Sequence, residues 1–198
     1  MFIKDVSFLK SVSINSKEIF FDEKPEIVFV GRSNVWKSSL MNTIFDKKDL
    51  VKTSAKPWKT RLANIFVADK KYYFTDLPWY WFAKLWKDLK WELDGLISWY
   101  LEERRRNIKL VVILVDSRLW AQEKDIDMYK YLLDLWLNVV IVVSKIDKLS
   151  NNELFKCTTS VSKDFFWQQI IPVSSLNNLW IDELEKALKK ALKKKFCS

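Results

Sequence analysis

The most explicit chemistry in this 198-residue chain lies in nine residues between an apolar run and a helical stretch. They read Gly31-Arg32-Ser33-Asn34-Val35-Trp36-Lys37-Ser38-Ser39, which is G-x-x-x-x-G-K-S with tryptophan at the second glycine position. In such a loop successive backbone N–H groups turn inward around a phosphate, and the following helix adds its positive N-terminal dipole. Lys37 is placed to reach the β- and γ-phosphates of a nucleoside triphosphate, and the Ser38 hydroxyl to bind Mg²⁺.

Four further short motifs follow in order. Asp76-Leu77-Pro78-Trp79 ends a strand-like run, as D-x-x-G does. An Asp there holds a water on Mg²⁺, and the last backbone amide meets the γ-phosphate. Ser144-Lys145-Ile146-Asp147 stands in the place of N/T-K-x-D. Asp147 would accept from guanine N1 and N2, and Lys145 would cover the base plane. Adenine lacks those donors, so a site built on that carboxylate rejects it strongly. Val173-Ser174-Ser175 ends the last strand, where a backbone amide can meet guanine O6. Thr60 falls in an irregular loop and is suited to be a second Mg²⁺ hydroxyl ligand. Singly, each match is a surface turn at a strand end. Five in the correct chain order, the strand-borne ones at carboxyl ends where α/β sheets bind ligands, point to one nucleotide site.

The elements that must position these residues are legible as periodicity. Leu110–Val115 and Val139–Val143 are β-branched runs too short for buried helices, and read as central strands buried on both faces. Ile27–Val30 and Ile170–Val173 are two more, and Leu62–Val67 with Lys71–Thr75 form a hairpin around Asp69-Lys70. Helical stretches are Ser38–Phe45, Asp88–Arg106, Glu123–Leu135, Asn152–Phe165 and Ile181–Lys194. Ile181, Leu184, Leu188 and Leu192 make an apolar stripe on the last. The alternation predicts an α/β fold: an open, mostly parallel six-stranded sheet with helices on both faces. Residues 1–24 are expected to pack as an extension on a single domain of residues 25–195. Residues 46–59 lack periodicity, which often marks a functional loop.

Composition bounds the rest. No apolar run approaches the ~20 residues of a membrane helix, so no membrane association is expected. The N-terminus lacks a signal peptide's apolar core, and Cys157 and Cys197 are far apart without metal-ligand spacing; a reducing cytoplasm fits both. There is no His, which removes the usual general base. The net charge of +9 suits either a basic surface or contact with RNA; no DNA partner is expected. Arg104–Arg106 and Lys189–Lys195 close helices, which reads as dipole complementation on a solvated face, with rRNA contact as the sharper alternative.

With these residues assembled, the chain resembles the EngB (YihA/YsxC) family of bacterial ribosome-biogenesis GTPases, from about Phe8 to Leu192. The family signatures GRSNVGKSS, KTPGKT, DLPGYGFAK, DSR, TKxD and SSL here read GRSNVWKSS, AKPWKT, DLPWYWFAK, DSR (Asp116–Arg118), SKID and SSL. The resemblance implies a Ras-like P-loop domain with GTP or GDP and Mg²⁺ as ligands. It implies slow hydrolysis coupled to maturation of the large ribosomal subunit, with pre-ribosomal particle and rRNA as partners, and a link to septation and cell division. It puts Ser38 and Thr60 on the metal. It lines the nucleotide with Gly31–Ser38, with Trp58-Lys59-Thr60-Arg61-Leu62, with Asp76–Trp79, with Ser144–Asp147 and with Val173–Ser175. Tyr80 stands where Ras-type enzymes carry a water-orienting Gln, so no classical catalytic residue is assigned; Lys37 and Thr60 are supportive. Asn34 matches a phosphate-loop Asn that, in related GTPases, helps bind K⁺.

The departures share one chemistry. The chain holds 2 Gly and 11 Trp, whereas average usage of ~7% predicts about 14 glycines. Trp36, Trp58, Trp79, Trp81, Trp120, Trp136 and Trp180 all stand where the family pattern has, or readily takes, glycine. Trp86 and Trp167 fall in loop-like places, and Trp91 and Trp99 inside a helical stretch. A literal indole at 36 or 79 would crowd the phosphates, because glycine there lets the backbone approach a ligand closely. Decoding of UGA as glycine explains the deficit, the excess and the locations together. Two other readings stay open: a nucleotide-free pseudo-GTPase that binds RNA or protein, which needs genuine tryptophans, and an ATP-using P-loop enzyme, which needs Asp147 not to read the base.

Overall fold

The computed structural model describes residues 3–14, 22–32, 36–51, 62–78, 87–166 and 168–193, with backbone only for 87–94. Seven strands form one sheet. They are β1 (Val6–Val12), β2 (Glu26–Gly31), β3 (Ala63–Ala68), β4 (Tyr72–Asp76), β5 (Ile108–Asp116), β6 (Val139–Ser144) and β7 (Gln169–Pro172). Their order across the sheet is β1-β3-β4-β2-β5-β6-β7. β3 pairs antiparallel with both β1 and β4, and every other pairing is parallel. The sheet therefore has one strand more than the six expected. The addition is β1, whose alternation is too broken by Ser7, Lys10 and Ser11 to stand out in sequence.

Five helices connect the strands: α1 (Lys37–Phe45), α2 (Lys87–Glu103), α3 (Glu123–Asp134), α4 (Asn151–Asp164) and α5 (Ile181–Lys193). Two cores result, one on each face. Val28 and Val30, Val111, Ile113 and Val115, and Val139, Ile141 and Val143 pack toward α2, α3 and α4. Their alternates Ile27 and Phe29, Leu110, Val112 and Leu114, and Val140 and Val142 pack toward α1 and α5. The period-2 side-chain geometry of a strand thus resolves an unbroken apolar run into two buried faces. The stripe Ile181, Leu184, Leu188 and Leu192 is buried as the periodicity requires.

The β3–β4 hairpin turns through Asp69 and Lys70, with φ of 50° and 56°. The Lys71 N–H donates to the Ala68 carbonyl at 2.9 Å, closing a tight turn of the type that follows strand twist. The sequence reading of Arg104 as part of a solvated helix end is corrected. Arg104 is only 4% exposed, and its Nε donates to Glu26 Oε2 at 3.0 Å. Glu26 is itself fully buried and also accepts from Thr75 and Tyr100 at 2.5 and 2.6 Å. A buried carboxylate needs such partners, and they tie α2 to β2 and β4. Arg105 and Arg106 are exposed, as expected.

Candidate functional site

Gly31 ends β2, the central strand, and Asp76 ends its neighbour β4; in register, Asp76 lies opposite Phe29. The chain turns from β2 into α1 at Trp36, whose φ and ψ are 61° and 31°. Trp36 donates no side-chain cap, but its carbonyl accepts the first helical hydrogen bond, from Leu40 N–H at 2.8 Å. Lys37 opens α1 and reaches across to β4. Its Nζ donates to Asp76 Oδ1 and to the Leu77 carbonyl. Lysine and acid, predicted from separate motifs, thus meet at one place. Ser38 follows on the same helix end. Ser38 at the start of α1 and Asp76 at the end of β4 are hard oxygen donors, which suits Mg²⁺. That ion keeps several waters and takes only one or two protein carboxylates or hydroxyls beside phosphate oxygens.

The second half of the site lies at the ends of β6 and β7. Lys145 takes a left-handed conformation, φ 63°, and leads into a short 3₁₀ turn, Ile146–Lys148. Its ammonium is buried and donates to Asp116 Oδ2 at 2.7 Å, at the end of β5. It also lies 5.6 Å from the centre of the Trp36 ring. Arg118 grips the same Asp116 through Nε at 3.0 Å and Nη2 at 2.9 Å. Burial works against the Asp116 charge, but the hydrogen bonds from Arg118 and Lys145 overcome it and hold the carboxyl at about 2. Asp147 accepts at Oδ1 from the Ser174 hydroxyl at 2.8 Å. Partial burial likewise opposes its charge, and the Ser174 hydrogen bond leads the contacts that lower its pKa.

Ser144 anchors the β6 end by donating to the Val115 carbonyl at 3.1 Å. Val173 and Ser174 give their N–H groups to Val143 and Leu179 at 2.7 and 3.2 Å. Within Val173–Ser175 that leaves the Ser175 N–H as the donor this segment can offer a base. Gly31, Arg32, Leu62, Leu77, Pro78 and Ile146 are described around these groups. Ser33, Asn34, Val35, Trp58, Lys59, Thr60, Arg61 and Trp79 lie outside the described residues.

Two contributors escaped sequence reasoning. Asp116 was visible only as part of the DSR string, and nothing local says that it meets a lysine 29 residues on. Asn42 clamps Val51 by two bonds, Nδ2 to the carbonyl at 2.9 Å and Oδ1 from the N–H at 2.8 Å. It thereby fixes the backbone at Val51, the last described residue before position 62.

A lysine on an acid at one strand end and a second lysine and acid two strands away can hold the two ends of a nucleotide. Comparison with known proteins agrees. The family described as "50S ribosome-binding GTPase" matches residues 26–145. The "Probable GTP-binding protein EngB" of Clostridium kluyveri is 39% identical over 97% of this chain and 98% of its own length. The chain belongs to the EngB family. A crystal structure of an EngB GTP-binding protein superposes with a TM-score of 0.72 at 23% identity, covering 86% of this chain and all of that one. An Era structure in complex with MgGDPNP and a segment of 16S ribosomal RNA gives 0.65 at 19% identity, covering 88% of this chain and 58% of Era. The fold is that of the Ras-like P-loop GTPases, and this EngB-family chain is a GTP-binding GTPase.

Against that identity the tryptophans stand out geometrically. Ten non-glycine residues have positive φ among the described residues, and four are Trp36, Trp120, Trp136 and Trp180. These are all the described tryptophans outside helices, since Trp91 and Trp99 lie in α2. Trp136 shows why. Its N–H donates to Leu133 and that of Leu137 to Leu132, at 2.8 and 3.0 Å. That is the Schellman closure of α3, whose left-handed seat normally takes glycine. The indole there is 84% exposed. Trp36 and Trp180 occupy the residues before α1 and α5, and Trp120 closes the turn after β5 with its N–H on the Asp116 carbonyl.

Proposed function

We propose that this EngB-family GTPase is a Mg²⁺-dependent guanine-nucleotide switch acting in assembly of the large ribosomal subunit. The observation that carries the nucleotide site is the gathering of Lys37, Asp76, Lys145 and Asp147 at one end of the sheet. In this reading Lys37 leaves Asp76 for the β- and γ-phosphates. Ser38, with Thr60, holds Mg²⁺, and Asp76 holds one of its waters. Asp147 accepts from guanine N1 and N2, Lys145 lies along the base, and the Ser175 N–H meets O6. Asn34 would place K⁺ beside the phosphates. The γ-phosphate would order residues 46–60 and 76–90, and hydrolysis would release them. Action on the large subunit is supported by the description of the matching family, and the Era complex, which holds small-subunit 16S rRNA, supports only rRNA as a class of partner. A cytoplasmic location suits that work, and a septation defect would follow from a shortage of ribosomes. No described helix is long and apolar enough to cross a membrane.

The same site needs glycine at position 36. We infer that the native polypeptide carries glycine, decoded from UGA, at positions 36, 58, 79, 81, 120, 136 and 180. Four of these have the left-handed backbone that glycine adopts without strain and a bulky tryptophan does not. Intact mass of the natively expressed protein, with the gene's codons, tests this. Each site should lighten the protein by the difference between a tryptophan and a glycine residue. TGG codons at 36, 120, 136 and 180 would end the idea. The nucleotide reading is tested on the same natively decoded protein with fluorescent GDP. Binding should be micromolar or tighter, tighter with Mg²⁺ for the triphosphate, and insensitive to excess ATP. No binding, or displacement by ATP, overturns it.

A further inference from the structure

At the end of the sheet opposite the nucleotide, five lysines from three parts of the chain surround one cavity of about 570 Å³. Lys4 precedes β1. Lys70 and Lys71 form the β3–β4 turn. Lys189 and Lys193 lie one turn apart near the end of α5. All five are exposed, and none forms an ion pair with a carboxylate among the described residues. Asp5 and Asp69 also line the cavity. The Asp69 carboxylate is engaged below it, where Oδ1 accepts the N–H groups of Lys4 and Asp5 at 3.0 and 2.9 Å. The lining therefore carries five cations against two anions, a net of +3. Half-buried Tyr72 and buried Leu192 complete it.

Complementing the dipole of α5 explains Lys189 and Lys193 but not the other three, which come from elements that end beside it. Five ammonium groups around one concavity repel each other and favour a ligand with several negative charges. A tyrosine in that lining adds a face on which a base can stack, the combination by which single strands are held. We infer that this groove is a docking site for a single-stranded stretch of RNA, bound through its phosphodiester backbone with one base against Tyr72. The choice of RNA rests on the ribosome reading above; the groove itself does not. Lying at the far end of the sheet, it can hold RNA whichever guanine nucleotide is bound.

Anisotropy of a labelled single-stranded RNA oligonucleotide on the full chain tests this with three variants. The variant Lys70→Ala/Lys71→Ala/Lys189→Ala should lose at least tenfold in affinity. Its slope of log affinity against log salt should fall by about 2, the counterion release of three single-strand contacts. Tyr72→Leu should lose severalfold with the salt slope unchanged. Arg105→Ala/Arg106→Ala, which removes charge elsewhere on the surface, should bind as the parent does. Equal loss in the lysine and arginine variants would reduce the effect to diffuse charge and overturn the site. So would unchanged binding in the lysine variant, or full displacement of the RNA by millimolar inorganic phosphate, which would make the groove a small-anion site. Fluorescent GDP binding, measured on every variant, should not change. Its loss in the parent would instead indict the nucleotide reading.

Discussion

In the proposed site Asp147 accepts from the base, and Ser174 holds that carboxylate in place with one 2.8 Å bond. Asp147→Ala should cost GDP at least a hundredfold in affinity, because guanine's two donors then face no acceptor in a closed site. Inorganic pyrophosphate binding, which never reaches that end, should be unaffected. Asp116 acts one step removed. It pairs with the Lys145 ammonium at 2.7 Å and, in the proposed site, would hold that chain along the base. Asp116→Asn should weaken GDP roughly tenfold, about 1.4 kcal/mol, again sparing pyrophosphate. The pH dependence has a definite sign. A carboxyl lowered from 3.8 to about 2 stabilises the fold fully above the higher value and loses that contribution as pH falls toward the lower. The shift is worth about 2 kcal/mol for this buried group. Acid unfolding followed by circular dichroism should therefore lose a component between those pH values in the Asp116→Asn variant.

Turns and helix ends carry the second scale. A side chain in the left-handed region costs about 1–2 kcal/mol relative to the right-handed one, and glycine escapes that cost. In protein made with tryptophan at these positions, Trp136→Gly should raise Tm by about 2–4 °C per kcal/mol relieved. Trp120→Gly and Trp180→Gly should do the same, whereas Trp99→Gly should lower it. Trp99 lies within α2 and packs on the core, edge-on to Tyr100 at 6.5 Å. Glycine there would lose that burial and weaken the helix by about 1 kcal/mol. At the other end of α1, Asn42 pins Val51 by two bonds. Asn42→Ala should leave GDP affinity near the parent's and weaken a GTP analogue more, since Thr60, the second Mg²⁺ ligand of the proposed triphosphate state, follows Val51 by nine residues.

As a whole the molecule is one sheet with two cores, and ligand binding at its end should stabilise all of it. At a GDP concentration one hundred times Kd the gain is about 2.7 kcal/mol. Calorimetry should show a higher Tm with GDP and none with ADP. On the two proposals, the ends of the sheet divide the labour. The carboxyl ends of β2, β4, β5, β6 and β7 gather the residues proposed for the nucleotide, while the turn of β3–β4 and the end of α5 gather lysines. This separation is why RNA and nucleotide affinities should change independently.

Local signals alone determined the motif order, the two β-branched central strands, the five helices and the end of the sheet where the site lies. Each of those depends on residues within one turn or one strand, whose periodicity and spacing are written contiguously. Tertiary structure decided what depends on distant pairing. β1 became an edge strand because β3 offers it a partner some sixty residues away. Arg104 went inside because Glu26, 78 residues before it, needs a countercharge. Asp116 joined the site because β5 and β6 run side by side in register, Asp116 opposite Ser144. The lysine groove exists only where a hairpin, a strand start and a helix end converge. The tryptophans needed both: their number is a sequence fact, but that four of them sit at positive φ is visible only in the backbone.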